Sequence, residues 1–120
     1  MLLGGAFSRP IFIGDTLRRA ARTDQNQIQI VKAFRDLGYT VALTFQLGDG
    51  FPDTVISKLL PSKHRFTALI EIKDGAKPKS SQKLTPDEEA FHASWQGEIA
   101  TINSIDAVLE YHEYVMREFG

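Results

Sequence analysis

Hydrophobic and polar residues alternate along the chain with periods that change from one segment to the next. Residues 1–15 show no clear period and contain glycines and a proline that break regular structure, so they predict an arm or lead-in. From about residue 17 to residue 37, apolar residues recur at spacings of three and four, which predicts an amphipathic helix that stops at Gly38. We therefore expect a single domain over residues 16–120.

Three strands are predicted after this helix, each with the β-branched and aromatic residues typical of sheets. Residues 39–47 alternate between apolar and polar positions, and residues 54–60 form a second run after the Gly-Asp-Gly turn at residues 48–50. Residues 66–73 follow a polar turn at residues 61–65, and their centre is apolar on both faces, as in a central strand.

The C-terminal part of the chain predicts two helices around a short strand. The residues Thr-Pro-Asp-Glu at 85–88 supply an N-cap, a proline and a capping glutamate, which predicts a helix to about Trp95. Phe91 and Trp95 lie four residues apart on this helix and are predicted to be core residues rather than a platform on which bases stack. Residues 99–102 form a short strand, and Ser104 caps a last amphipathic helix. The order α-β-β-β-α-β-α predicts an α/β (α+β) domain with a mixed sheet flanked by helices.

The composition narrows the chemistry that the chain can carry. Its 120 residues indicate one domain, and an apolar fraction of 42% is ordinary for a globular protein. There is no cysteine and the three histidines lack zinc-ligand spacing, so a carboxylate site for a hard cation is the metal chemistry left open. No apolar run is long enough to cross a bilayer and the opening residues lack a signal-peptide pattern, so we expect no membrane partner and a cytoplasmic location.

The charges are distributed unevenly, although the net charge is only −1. Residues 1–86 carry 13 Lys and Arg against 7 Asp and Glu, whereas residues 87–120 carry 1 against 8. A chain with a basic part can present a positive face to phosphates. Charge scattered over a solvated surface explains the same counts equally well.

Three charged residues stand at the ends of predicted strands. Asp53 begins the second strand, and Glu71 and Lys73 close the third with side chains on one face, because the strand period is two. If these strands are antiparallel neighbours, the start of one lies beside the end of the other. Two adjacent carboxylates repel each other unless a cation lies between them, and Mg²⁺ takes one or two carboxylates plus waters and phosphate. Lys73 is suited to orient an attacking water or to offset charge on phosphate.

Simpler explanations exist for each of these residues. An aspartate after a proline, as at Asp53, is typical of a turn. Glu71 and Lys73 at a strand end are typical of charges that discourage edge-to-edge pairing. The three residues together, at this spacing and in this order of elements, favour the catalytic hypothesis.

The same residues resemble a known family of nucleases. The segments Gly-Asp-Gly-Phe-Pro-Asp at 48–53, Glu-Ile-Lys-Asp-Gly at 71–75 and Lys-Leu-Thr-Pro-Asp at 83–87 are similar to those of the PD-(D/E)XK nucleases. They look most like the virus-type replication-repair branch (VRR-NUC) of phages and prophages, over about residues 22–110. The resemblance implies a restriction-endonuclease-like αβββαβ core. It also implies a Mg²⁺-dependent DNA endonuclease, with Mn²⁺ able to substitute, that acts in replication, recombination or repair.

The resemblance also implies which residues form the site. Asp53, Glu71 and the backbone carbonyl of Ile72 would hold the metal ion. Many members add an acidic residue on the first helix, for which the candidate here is Asp24, with Gln27 one turn further along the same face. An aspartate ahead of a helix is also a common N-cap, so both roles stay open for Asp24.

Two positions depart from the family pattern. The first-helix acidic residue is commonly a glutamate in relatives and is Asp24 here, and relatives tend to carry a glutamine in the helix after the third strand, where this chain has Glu88. A capping box with Thr85 explains Glu88 without any role in catalysis.

DNA, in duplex or branched form, is the predicted partner. A homodimer is expected, because cutting both strands with so small a domain needs two copies. The loop at residues 74–83 follows the third strand and is the candidate for phosphate contacts. Its candidate residues are Lys77, Lys79, Ser81 and Lys83. Two other classes stay open: an inactive DNA-binding or regulatory relative with the same fold, and a glycosidase with Asp53 and Glu71 as its two carboxylates.

Overall fold

The computed structural model describes residues 25–120, so the predicted arm, the start of the first predicted helix and Asp24 lie outside the described part. The described chain forms three α-helices, four strands and two short 3₁₀ turns. In chain order the main elements are α1 (Gln25–Asp36), β1 (Thr40–Leu43), β2 (Thr54–Leu59), β3 (Arg65–Ile72), α2 (Pro86–Ser94), β4 (Glu98–Ile102) and α3 (Ile105–Phe119). The predicted element order and the α+β class are confirmed. None of the helices in residues 25–120 is long and apolar enough to span a membrane.

The four strands form one mixed sheet in the order β1-β2-β3-β4. β1 with β2 and β2 with β3 are antiparallel, whereas β3 and β4 are parallel. The turn between β2 and β3 is tight, because the Lys63 N–H donates to the Leu60 carbonyl over 2.8 Å and Lys63 adopts a left-handed φ of 74°. A parallel pair needs a crossover, and α2 lies within the one that joins β3 to β4.

Alternate residues of β3 belong to opposite faces of the sheet. The even-numbered ones belong to the buried hydrophobic core: Phe66, Ala68, Ile70 and Ile72. α1 and α3 supply the helical side of that core, with Ile30, Phe34, Val108 and Val115 among its members. Leu69 and Glu71 are also buried, but on the other face. The predicted site residues therefore lie on the face of the sheet that α1 and α3 do not cover.

α2 covers this second face only in part. None of its residues is fully buried. Its first turn packs closely on the loop before β2, because a Cβ on Gly50 would collide with the Asp87 carbonyl. Gly50 also has a φ of 81°, a conformation that favours glycine.

The prediction that Phe91 and Trp95 are core residues is wrong. Phe91 is only half-buried, and Trp95 keeps 42% of its surface exposed. The spacing of four residues places both on one face of α2. That face does not reach the core, because the helix attaches to the outer face of the sheet through its first turn and Phe51.

The first strand is shorter than predicted. β1 ends at Leu43, and Phe45–Leu47 form a 3₁₀ turn instead of continuing the strand. The Thr44 N–H donates to the Asp53 carbonyl and its hydroxyl donates to the Pro52 carbonyl, each over 2.8 Å. These bonds tie the chain to the start of β2 and turn it away from the strand direction. The apolar alternation therefore overestimates the length of this strand. The bounds of the other three strands agree with prediction within one residue at each end.

Both predicted helix starts in the C-terminal part are confirmed. The Thr85 hydroxyl accepts a hydrogen bond of 3.2 Å from the Glu88 N–H, and the Glu88 carboxylate accepts one of 2.8 Å from the Thr85 N–H. This is the predicted capping box of α2. The Ser104 hydroxyl accepts a bond of 3.1 Å from the Ala107 N–H at the start of α3.

Phe34 is a core residue whose truncation should strongly destabilise the fold. It is 1% exposed and contacts Tyr39 with 5.4 Å between ring centroids. We expect Phe34→Ala to lower the free energy of unfolding by about 3 to 5 kcal/mol, because it leaves a cavity. Leu109→Ala, at an exposed position of α3, should change it by less than about 0.5 kcal/mol. Urea denaturation measures both values, and equal changes in the two variants would contradict the described core.

Candidate active site

The register of the β2–β3 pair brings two carboxyl groups together. Thr54 stands opposite Ile70, so Asp53, one residue before the strand, stands opposite Glu71. The Asp53 Oδ2 atom accepts a hydrogen bond of 2.8 Å from the Ile72 N–H. This bond fixes the Asp53 carboxyl at the end of β3. β2 and β3 are therefore antiparallel neighbours, which is the condition for Asp53 and Glu71 to meet.

Glu71 is buried, with 3% of its surface exposed, and its Oε1 atom has no hydrogen-bond partner among residues 25–120. Burial, followed by the neighbouring charge of Asp53, raises the pKa of Glu71 to about 9. Burial also raises the pKa of Asp53, although the hydrogen bonds from Ile72 and Glu71 act in the opposite direction. The pair therefore retains a proton at neutral pH unless a cation compensates its charge.

Lys73 connects this pair to α2. Its Nζ atom lies 4.0 Å from Glu71 Oε2 and 2.8 Å from Glu88 Oε1. The same Glu88 oxygen accepts the Thr85 N–H of the capping box. Burial acts to raise the pKa of Glu88, but the hydrogen bonds from Lys73 and Thr85 outweigh it, so the pKa lies below its ordinary value. The sequence pattern indicates only the capping role of Glu88, and the structure adds the ion pair with Lys73.

Unsatisfied buried polar atoms concentrate around Lys73. Within residues 25–120, the buried side-chain atoms without a hydrogen-bond partner are Glu71 Oε1 and His92 Nε2. His92 lies one turn after Glu88 on α2, and burial first, then the charge of Lys73, lower its pKa against the opposing effect of Glu88. Orphaned buried polar groups are rare in native proteins, and the charges of Glu88 and Lys73 act on both of these groups.

Asn26 is a residue of this region that no sequence pattern singles out. Its Nδ2 atom donates to the carbonyls of Lys73, over 2.9 Å, and of Asn103, over 3.2 Å. These bonds bring the first turn of α1 to the ends of β3 and β4. Gln27, the next residue, is buried. Asp24, the other first-helix candidate, lies outside the described residues, so the structure gives it no position.

The basic loop that follows β3 is tied to the end of β4. The Asn103 Nδ2 atom donates to Gln82 Oε1 over 2.9 Å, and the Gln82 Nε2 atom donates to the Lys77 carbonyl over 2.7 Å. The Gly75 N–H donates to the Asn103 carbonyl over 3.0 Å. The four candidate phosphate contacts are all exposed on this loop: Lys77, Lys79, Ser81 and Lys83. The loop is therefore held at the end of β4 while its cations remain accessible.

The chemistry of the donors fits a hard divalent cation. Carboxylate and carbonyl oxygens are the ligands that Mg²⁺ and Mn²⁺ prefer, and Glu71 offers an oxygen without a protein partner. Within residues 25–120, no group of three or more His, Cys, Asp or Glu side chains is arranged to hold a metal ion. A metal at Asp53 and Glu71 would thus take its other ligands from the Ile72 carbonyl, water or substrate.

Comparison with models of protein families, with curated proteins and with solved structures finds no match to this chain. The resemblance to the PD-(D/E)XK nucleases stays a prediction from the sequence motifs. The contacts of Asp53, Glu71 and Lys73 are the basis on which a function can be proposed.

The raised pKa of Glu71 predicts a stability that depends on pH. A group whose pKa is higher in the folded protein contributes stability below its unfolded value and loses that contribution as pH rises through the folded value. For Glu71 this window runs from 4.5 to about 9. In a buffer with a chelator, we therefore expect the free energy of unfolding to fall across this range.

Glu71→Gln is the matched control, because an amide of the same shape cannot ionise. Its free energy of unfolding should exceed that of the wild type increasingly as pH rises. The difference between the two proteins, from urea denaturation at about pH 5, 7 and 9, removes the contributions of distant groups. A difference that stays constant over these pH values would contradict the raised pKa.

Proposed function

We propose that this chain is a metal-dependent nuclease that hydrolyses phosphodiester bonds of DNA. The observation that carries the proposal is the contact between half-buried Asp53 and buried Glu71, with the Lys73 ammonium 4.0 Å from Glu71. Two carboxylates that are side by side and shielded from water cost free energy, because each loses hydration and repels the other. A bound cation removes this cost, so the arrangement is better explained by a metal site than by stability.

The proposed metal ligands are the carboxyl groups of Asp53 and Glu71 and the backbone carbonyl of Ile72. Asp24 or Gln27 would complete the set from the first helix. When bound, Mg²⁺ or Mn²⁺ supplies a Lewis acid for the phosphoryl oxygens and lowers the pKa of a water.

Lys73 supplies the fixed positive charge of the proposed mechanism. Its ammonium donates hydrogen bonds to oxygens that gain charge in the transition state, or orients the attacking water. Glu88 holds that ammonium in place through the 2.8 Å ion pair. An inert DNA-binding module would gain nothing from Asp53 and Glu71, because their charges repel phosphate.

The proposed substrate is duplex or branched DNA, of the kind processed in phage or prophage replication, recombination or repair. The loop at residues 74–83 follows directly on Lys73 in the sequence. Its exposed lysines would bind phosphates. One site cuts one strand, so we propose that two copies form a homodimer to cut both strands. The proposed place of action is the cytoplasm of a bacterium or of a phage-infected cell.

The metal ligands can be tested without any DNA. We expect calorimetric titration of Mn²⁺ to give saturable binding to the wild type and none to Asp53→Asn/Glu71→Gln, because both carboxylates are removed without a change of shape. Glu110→Gln, an exposed position on α3, is the matched control and should bind like the wild type. Equal binding by all three proteins would contradict the assignment of ligands.

The role of Lys73 can be tested by cleavage of plasmid and branched DNA. We expect Lys73→Ala to slow metal-dependent cleavage by about 100-fold or more at saturating DNA while Mn²⁺ binding is retained, because removal of a positive charge does not weaken binding of a cation. Lys77→Ala, on the exposed loop, should weaken DNA binding but keep the rate at saturation. If the wild type cuts no DNA in Mg²⁺ or Mn²⁺ yet binds it, the protein is a DNA-binding module and the nuclease proposal fails.

A further inference from the structure

A row of three aromatic rings runs from the loop before β2 along α2. The rings of Phe51 and Phe91 meet edge to face with 5.2 Å between centroids, and those of Phe91 and Trp95 stack with 5.6 Å between centroids and 17° between planes. We call these three residues the aromatic row. It ends at Trp95, which keeps 42% of its surface exposed. An exposed aromatic ring that is already stacked on one partner can accept another flat ring.

The aromatic row starts beside the candidate active site. Glu88 and Phe91 lie three residues apart on one face of α2, and Trp95, the C-cap residue of the helix, follows four residues later and stacks on Phe91. Glu88 contacts Lys73 at 2.8 Å. Trp95 stands seven residues further, or about 10 Å along a helix. That distance is about three base steps of a B-form strand. One strand with a phosphate at Lys73 can therefore reach Trp95 with a base about three nucleotides away.

The Trp95 ring contacts Phe91 and the turn that follows α2. The Trp95 backbone N–H donates to the Phe91 carbonyl over 3.0 Å and ends the helix. The indole lies against Gly97, where an added Cβ would be 2.9 Å from Trp95 Nε1. A ring with these two contacts loses less conformational entropy when a ligand stacks on it than a fully free side chain does.

The charges around the aromatic row are acidic at both ends, and the cations lie on the preceding loop. Asp87 and Glu89 are exposed in the first turn of α2, and Glu98 follows Trp95 by three residues. The Glu98 carboxylate accepts hydrogen bonds from the Tyr111 and Tyr114 hydroxyls on α3. Attraction of phosphate therefore has to come from the exposed lysines of the loop at residues 74–83, and Trp95 offers a base an uncharged ring.

We propose that Trp95 stacks on an unpaired base of the DNA strand that is cut at Lys73, so that among the proposed substrates the site selects branched DNA with an unpaired segment over intact duplex. This inference rests on the proposed function for its cleavage step, although not for its binding step. Bases inside a duplex are covered by their neighbours, whereas unpaired bases can stack on aromatic side chains whatever their sequence.

Trp95 is the single tryptophan of the chain, so intrinsic fluorescence reports its contacts directly. In a buffer with a chelator, which prevents metal-dependent cutting, the wild type is titrated with an oligothymidine of about 12 nucleotides and with a blunt duplex of equal length. We expect saturable quenching by the single strand and much weaker quenching by the duplex. Fluorescence anisotropy of labelled DNA gives the affinities of variants that lack the indole.

Three variants separate stacking from other effects. Trp95→Ala should bind the single strand about tenfold more weakly and the duplex equally well. Gly97→Ala keeps the indole but displaces it, so it should lose part of the single-strand affinity. Leu109→Ala removes an exposed apolar side chain of α3 and should change neither affinity.

The outcomes distinguish this inference from the proposed function. Quenching by the single strand without any cleavage in Mg²⁺ supports the stacking surface and overturns the nuclease. Cleavage that is equal in wild type and Trp95→Ala on single-stranded and splayed DNA, without quenching, overturns the stacking surface and leaves the nuclease. If Trp95→Ala instead changes the sedimentation of the protein and not its DNA affinity, the ring is a contact between subunits and the inference fails.

Discussion

The antiparallel register between β2 and β3 is the constraint on which the candidate site depends. Because Thr54 opposes Ile70, Asp53 must meet Glu71. A shift by one residue would turn Glu71 towards the hydrophobic core and expose Ile70, which is fully buried. The burial of apolar residues therefore fixes the register, and the register brings two mutually repelling carboxyl groups together.

The position of α2 is linked to this charge cluster because the helix has few other attachments. It buries no residue fully, and it reaches the rest of the protein through Gly50, Phe51 and the ion pair of Glu88 with Lys73. One oxygen of Glu88 accepts both the capping N–H and the Lys73 ammonium. The start of α2 and the position of Lys73 are therefore set by the same atom. A substitution at Thr85 or at Lys73 should alter the position of the other residue.

Local patterns predict much of this arrangement, whereas contacts between distant residues do not follow from them. The hydrophobic periodicity and the turn residues are enough to predict β2, β3 and the capping box, because each of these depends on residues that are close together in the sequence. The Asn26 amide donates to two carbonyls that are 47 and 77 residues away in the sequence. A local sequence pattern cannot predict contacts over such separations. The end of β1 depends on Thr44 bonding to Pro52 and Asp53, and the exposure of Trp95 depends on where α2 attaches.

The charge balance of the site argues for a divalent rather than a monovalent cation. With Asp53 and Glu71 ionised, the three carboxylates of the cluster, Glu88 included, and the one ammonium of Lys73 leave two net negative charges. A divalent ion neutralises them, and a monovalent ion leaves one. A glutamine in place of Glu88 would keep the capping bond but remove one of these charges. A bound divalent ion would then leave the cluster positive before any phosphate arrives. In the proposed site, Glu88 would therefore leave the metal-loaded cluster neutral, and attraction of DNA would have to come from the lysines of the adjacent loop.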